Sequence, residues 1–270
     1  MLFEAIFAED IELMILEHKG TPIFYSDQGK GSVVVLLHGF LENSTMWKNV
    51  ADELSLQHRI ICIDLLGHGQ TGCLGYVHSM EQMAEAVYAV LKTLQLRRFT
   101  FIGHSMGGYV ALAFAEKYPT MIKGICLMNS TAQADSQERQ ELRLRANKMA
   151  QTNFENIIRM SVGNLFRKES LNLFSDEVAS VKTEALKTPL QGYMAANEGM
   201  RIRPNLVSTL HNIDKVYYVI GKYDPVININ SVIKEAQSVN AKYVVLEGGH
   251  MSHIENAEEL LNALRIFVKA

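Results

Sequence analysis

The run Gly103-His104-Ser105-Met106-Gly107-Gly108 constrains this chain more than any other stretch. Before it, Phe99-Thr100-Phe101-Ile102 is aromatic and β-branched, a composition suited to a buried strand. After it, small and apolar residues recur at helical spacing as far as residue 118 (Val110, Ala111, Ala113, Phe114, Ala115) and predict a helix. A chain that passes from strand to helix in so few residues must bend sharply. Glycine at 103 and 107 removes the Cβ atoms that such a bend would crush. The serine at the apex is then pushed into a strained, exposed position. The helix behind it offers its first backbone N–H groups and a partial positive charge where an oxyanion would form. Gly-x-Ser-x-Gly alone occurs in many plain turns; between a strand and a helix it predicts a nucleophile.

The surrounding pattern alternates strands with helices. Residues 11–26 alternate around Gly20-Thr21-Pro22 and predict a hairpin ending at Tyr25. Val33-Val34-Val35-Leu36-Leu37 is continuously apolar, as in a strand buried on both faces of a mostly parallel sheet. Further strands are predicted at 59–63, 122–128, 216–220 and 243–246, with helices at 80–94, 229–239 and 255–268. Ser44 or Thr45 is placed to cap one more helix, carrying Trp47, Val50 and Leu54. The expected class is α/β, one doubly wound, mostly parallel sheet. Residues 131–204 interrupt the alternation with helical patterns alone, among them 137–150 and a second around Ile157, Ile158, Val162 and Leu165. The expected organisation is a core of 1–130 and 205–270, with 131–204 inserted as a helical lid.

Composition narrows the function classes. The 270 residues suffice for one large α/β domain. Net charge is −3 with no long basic or acidic block, so neither nucleic acid nor a membrane is expected as partner. No apolar run approaches the ~18 residues that span a bilayer. Residues 1–10 lack a basic start and meet acid early, so no secretory leader is expected. Cys62, Cys73 and Cys126 cannot all pair and show no metal spacing; Cys62 and Cys126 read as small buried hydrophobes. The expectation is a cytoplasmic monomer or homodimer with no cofactor and no metal.

Reactive groups of such a sheet collect at the carboxyl ends of strands, where His38, Asp64, Ser105, Asn129, Asp224 and His250 stand. A serine hydroxyl needs a base within reach and a group that holds the base. Ser105, Asp224 and His250 supply nucleophile, orienting acid and base in the chain order of a known arrangement. With His38-Gly39-Phe40, the Asp64-to-Gly69 loop, Gly221-Lys222-Tyr223-Asp224 and Gly248-Gly249-His250, the chain resembles the α/β-hydrolase superfamily over residues 12–268. The resemblance implies that Ser105 attacks an acyl carbonyl, His250 takes its proton and Asp224 orients the imidazole. It implies an oxyanion hole made by the backbone N–H groups of Phe40 and Met106. The implied activity is hydrolysis of carboxylic esters or thioesters of a small-molecule acyl substrate, small to medium in size, through an acyl-enzyme. Other readings on the same scaffold are a lyase of the menaquinone-pathway type, a cofactor-free haloperoxidase or C–C hydrolase, and a non-catalytic binding protein. Relatives that open epoxides or displace halide carry aspartate at the elbow, so Ser105 argues against that chemistry.

Competing residues have structural readings. Asn129-Ser130 ends the strand before the insertion, leaving only Asp135 as another acid. Asp64 is expected to tie down its own loop, His38 to shape the oxyanion loop and His104 to pack against a neighbouring loop. His253 competes with His250 as base, and His18, His58, His78 and His211 read as surface residues. In the insertion, Arg139, Arg143, Arg145 and Lys148 fall in one run with Asp135, Glu138 and Glu141. They suit a solvated face with pairs such as Glu141–Arg145, or one arginine turned inward to a substrate carboxylate. Of Arg201 and Arg203, one is expected to pair with a core acid. Arg139, Arg143, Met149 and Phe154 are the expected substrate contacts, the last two as adaptable apolar lining.

Overall fold

The apolar runs form the middle of one sheet in a computed structural model that describes residues 11–269. Residues 1–10, on which the reading of a missing leader rests, lie outside the described residues. Strands β1 (Glu12–His18) and β2 (Thr21–Gln28) make the expected hairpin. Strands β3 (Ser32–Leu37), β4 (His58–Ile63), β5 (Phe99–His104), β6 (Ile122–Met128), β7 (Val216–Gly221) and β8 (Lys242–Leu246) complete a sheet ordered β1-β2-β4-β3-β5-β6-β7-β8. Only β1–β2 and β2–β4 pair antiparallel. Every other pair is parallel. The β3 run Val34–Leu37 is buried throughout, as a continuous apolar strand between two helical layers must be.

Helices α1 (Lys48–Ser55), α2 (Met80–Thr93) and α3 (Met106–Lys117) connect the first strands. Between β6 and β7 come α4 (Gln137–Gly163), α5 (Ser170–Leu173), α6 (Ser175–Ala185), α7 (Leu190–Ile202) and α8 (Val207–Leu210). The chain closes with α9 (Ile229–Ser238), α10 (Ser252–Glu255) and α11 (Ala257–Lys269). One sheet face carries α2 and α3, with Val87, Leu91, Val110 and Phe114 in its core. The other carries α1 and α11, with Leu54, Leu264, Phe267 and the buried Trp47. Among the described residues no helix is long and apolar enough to cross a membrane.

Two local readings are corrected. Asn43, not Ser44 or Thr45, caps the helical turn at Ser44–Trp47, its side chain accepting from the Thr45 N–H at 3.0 Å. The two helices expected between 137 and 165 are both present, meeting end to end at a kink at Asn153 (φ −146, ψ 51) within α4. His78 and His58 are buried rather than at the surface. His78 sits where α7 docks on the core: its N–H donates to the Ala195 carbonyl at 3.0 Å, and a side chain at Gly199 would collide with its own carbonyl. A surface reading failed there because its burial depends on a helix more than a hundred residues away.

The elbow is tight for the reason the glycines suggested. At Gly107 a Cβ would strike the carbonyls of Leu37 and His38, because the N-terminus of α3 presses directly on the end of β3. Backbone cannot yield as a flexible side chain can. Gly107→Ala is therefore expected to cost about 2 kcal/mol or more of stability, read as a lower urea midpoint with an unchanged slope.

Candidate active site

Ser105 joins β5 to α3 at φ 49 and ψ −113, a left-handed backbone that a residue with a Cβ seldom adopts. Its surroundings over-determine that conformation. Its N–H donates to the Met128 carbonyl at 2.9 Å, and its carbonyl accepts from Gly108 N–H at 3.0 Å and Ser130 Oγ at 2.8 Å. The side chain is thereby left facing His250.

Asp224, after β7, and His250, after β8, meet Ser105 in one hydrogen-bonded line. His250 Nδ1 lies 2.7 Å from Asp224 Oδ2 and His250 Nε2 lies 2.9 Å from Ser105 Oγ. The carboxylate can only accept, so the ring proton belongs on Nδ1, and Nε2 is left to accept from the serine hydroxyl. Asp224 Oδ1 accepts from the N–H groups of Val226 at 2.8 Å and Ile227 at 3.1 Å, and Oδ2 accepts from Asn129 Nδ2 at 3.0 Å. Burial works to raise the Asp224 carboxyl, but His250 and these donors outweigh it and hold it below its ordinary value. Asn129 ends β6, at φ 47, and also binds the Gly249 carbonyl and Ser252 Oγ. It is a buried amide that joins the acid to the histidine loop. Sequence reading placed Asn129 at a strand end but gave it no role.

A second buried cluster stands behind this line. His104 Nδ1 lies 2.6 Å from Glu42 Oε2, and its Nε2 lies 2.9 Å from the His250 carbonyl. Both partners only accept, so both ring nitrogens carry protons and His104 is an imidazolium. Burial opposes that charge, but Glu42 overcomes it and raises His104 above its ordinary value. Glu42 itself is held down at about 2 against the upward push of burial, chiefly by His104. Glu42 Oε2 also accepts the Gly39 N–H at 2.7 Å, which fixes the loop that carries Phe40. Nothing in the sequence pattern marked Glu42. Glu42, His104 and His253 have ligand-type atoms within 4.8 Å of one another, the one such grouping among the described residues. His104 already spends both nitrogens, so Glu42 and His104 form a hydrogen-bonded ion pair with neutral His253 beside it, 3.9 Å from Glu42 Oε1. His253 is thus drawn to Glu42 and away from Ser105, and burial lowers it to about 4.

The remaining expectations sort by position. His38 donates from Nδ1 to the Gly39 carbonyl and accepts the Leu65 N–H, shaping that loop. Asp64 ties its own loop through the N–H groups of Ser44 and Gln70. Asp135 is committed to Arg143 and Arg203, which removes it as an orienting acid. Glu141 and Arg145 form the exposed pair expected of them. A cavity of about 670 Å³ opens over Ser105 and His250, lined also by Phe40, Tyr193, Arg139 and Arg143. Met149 and Phe154 are not on its wall. The lining face of α4 runs through 139, 142, 143 and 146 and returns at 161, beyond the break at Asn153. Met149 lies past the first part and is half exposed, while Phe154 packs inside the inserted helices, 5.6 Å from the Tyr193 ring. The N–H groups of Phe40 and Met106 have no acceptor among the described residues.

Comparison with known proteins bears on the family and the fold. A family model described as alpha/beta hydrolase fold matches residues 32–257. A thermophilic esterase from Thermogutta terrifontis superposes with a TM-score of 0.88 at 27% identity, covering 96% of this chain and 98% of that one. A putative 2-succinyl-6-hydroxy-2,4-cyclohexadiene-1-carboxylate synthase of Bacillus subtilis is 27% identical over 246 residues, 85% of this chain and 88% of that protein. An uncharacterized protein of Mycobacterium tuberculosis is 35% identical over 102 residues; the match spans 38% of this chain and only 30% of that protein's length.

The buried histidines set an acid limit. Burial lowers His68 to about 3 and both His78 and His253 to about 4, so all three stay neutral in the fold and protonate near 6.5 once unfolded. Their contribution to stability is complete above pH 6.5 and declines as pH falls toward 4. The Glu42–His104 pair does not offset this, since Glu42 keeps its charge down to about 2. Urea unfolding measured from pH 8 to pH 4.5 should therefore show an uptake of at least three protons on unfolding below pH 6, with buried His38 adding to it. A flat profile would contradict the neutral assignments.

Proposed function

Since this chain belongs to the alpha/beta hydrolase family, we propose that it is a serine hydrolase acting on carboxylic esters or thioesters of small to medium acyl substrates. The observation that carries this reading is the unbroken line Ser105–His250–Asp224 opening onto the 670 Å³ cavity. In it, His250 Nε2 takes the Ser105 proton as Oγ attacks the acyl carbonyl, and Asp224 stabilises the imidazolium that forms. The developing oxyanion is received by the N–H groups of Phe40 and Met106. The latter opens α3, where the first helical N–H groups have no partner of their own. His250 then protonates the leaving group, and water activated by the same nitrogen releases the acyl group from Ser105. The cytoplasmic setting belongs to the same proposal and is supported by three cysteines that form no disulfide.

One observation favours a second reading. Arg139 and Arg143 reach the cavity wall, as a lyase acting on an anionic intermediate would require, and the Bacillus subtilis relative is named for such a synthase. In that case His250 would serve proton abstraction from the substrate with the same partners.

A series of p-nitrophenyl esters from acetate to decanoate separates the two. The hydrolase reading expects turnover that peaks at short or middle chain lengths and falls about 10,000-fold or more in Ser105→Ala. Uniform inactivity of the folded wild type across the series would refute it and transfer support to the lyase.

A further inference from the structure

The inserted helices bring more positive charge to the cavity than the protein's own acids balance. Arg143 Nε donates to Asp135 Oδ2 at 2.5 Å, and Arg203 Nη1 donates to Asp135 Oδ1 at 2.6 Å. Two guanidinium groups therefore share one carboxylate, and the three side chains are only 11%, 6% and 5% exposed for Arg143, Arg203 and Asp135. The other contact of Arg143 is neutral: Nη1 donates to Asn197 Oδ1 at 3.0 Å, while Nη2 has no acceptor among the described residues. Burial lowers the Arg143 guanidinium below its usual range even with Asp135 beside it. One turn earlier on α4, Arg139 lines the same cavity, and its side chain makes no hydrogen bond or ion pair among the described residues. The carboxylate in the cavity lining, Glu42, is already held by His104 and Gly39. A surplus buried cation is costly unless something anionic meets it. The wall around Arg143 lacks that anion.

The position of the surplus charge indicates what would supply it. Arg203 stacks 3.9 Å over the ring of Tyr109, which also lines the cavity. Tyr109 lies one turn beyond Ser105 on α3, roughly 5.4 Å along the axis. Arg139, Arg143, Tyr109 and Ser105 thus border one cavity.

We propose that Arg143 and Arg139 form an anion subsite in the substrate cavity, which takes the free carboxylate of a substrate whose reacting carbonyl sits at Ser105. The ligand class is the half-ester or half-thioester of a dicarboxylic acid. The subsite rests on the reading that this cavity is where the acyl substrate binds. It needs no particular chemistry at Ser105.

Monomethyl glutarate and dimethyl glutarate test it, as they differ in the free carboxylate. The subsite predicts that kcat/KM favours the monoester by about tenfold or more, since a charge-assisted contact is gained. Arg139→Gln should narrow that preference by about threefold. Arg143→Gln should abolish it. If Arg143→Gln does not fold, because Asp135 loses a partner, Arg139→Gln still decides the matter, having no internal contact to lose. Calorimetry on Ser105→Ala separates the subsite from catalysis: monomethyl glutarate should bind more tightly than the diester, and added salt or Arg139→Gln should erode the difference. No turnover of either ester, with the monoester still preferred by Ser105→Ala, would refute the hydrolase reading and uphold the subsite. Equal kcat/KM and equal binding of the two esters, or binding of neither, would overturn the subsite.

Discussion

The active-site geometry depends on one buried ion pair, Glu42 with His104. Three segments far apart in sequence meet on it: the loop after β3 through the Gly39 N–H, the end of β5 through His104 itself, and the histidine loop through the His250 carbonyl. Burying two opposite charges is not cheap, and the Coulomb attraction recovers the loss only when geometry and extra hydrogen bonds are good. Here each member has both: His104 fills both ring nitrogens, and Glu42 Oε2 takes two donors. Removing Glu42 would take away the acceptor that sustains the second proton of His104, and removing His104 would leave buried Glu42 with the Gly39 N–H as its remaining donor. The pair thus ties the Phe40 loop, Ser105 and His250 to a common reference.

The inserted helices belong to that same framework. His250 is gripped at both ends of its peptide, its carbonyl by His104 and its N–H by the Leu165 carbonyl at 2.9 Å, just past α4. Glu255 extends the connection, accepting the N–H groups of Gly249 and Met251 with one oxygen and that of Arg167 with the other. The segment that shapes the cavity therefore also positions His250. Any shift of α4 that admits a ligand is felt at His250, which gives substrate fit a physical route to the reacting atoms.

Much of this was legible in the sequence because it is local. A strand, a glycine-flanked serine and an apolar helix specify the elbow within a few residues, and the strand ends deliver Asp224 and His250 in order. What escaped is non-local. Glu42 looks like an ordinary loop acid until a histidine 62 residues away meets it, and Asn129 looks like a strand-end amide until it bridges to Asp224, 95 residues on. His78 carries no mark of burial without α7 against it. Met149 and Phe154 are apolar, but the kink at Asn153 sets which face of α4 sees the cavity; the sequence pattern shows two helical segments there and not the angle between them. Arg143 was read as either a solvated or an inward residue. It proved buried because Asp135 and Asn197 hold it there.

The central claim is that Ser105 is an activated nucleophile whose base is His250. Intact-mass and peptide mass spectrometry after treatment with a fluorophosphonate tests it most directly, since that reagent strongly favours a hydroxyl whose proton is being drawn away. One adduct per chain is expected, located on the peptide that contains Ser105 and lost in a folded His250→Gln variant. An unmodified wild type, or an adduct on any other residue, would contradict it.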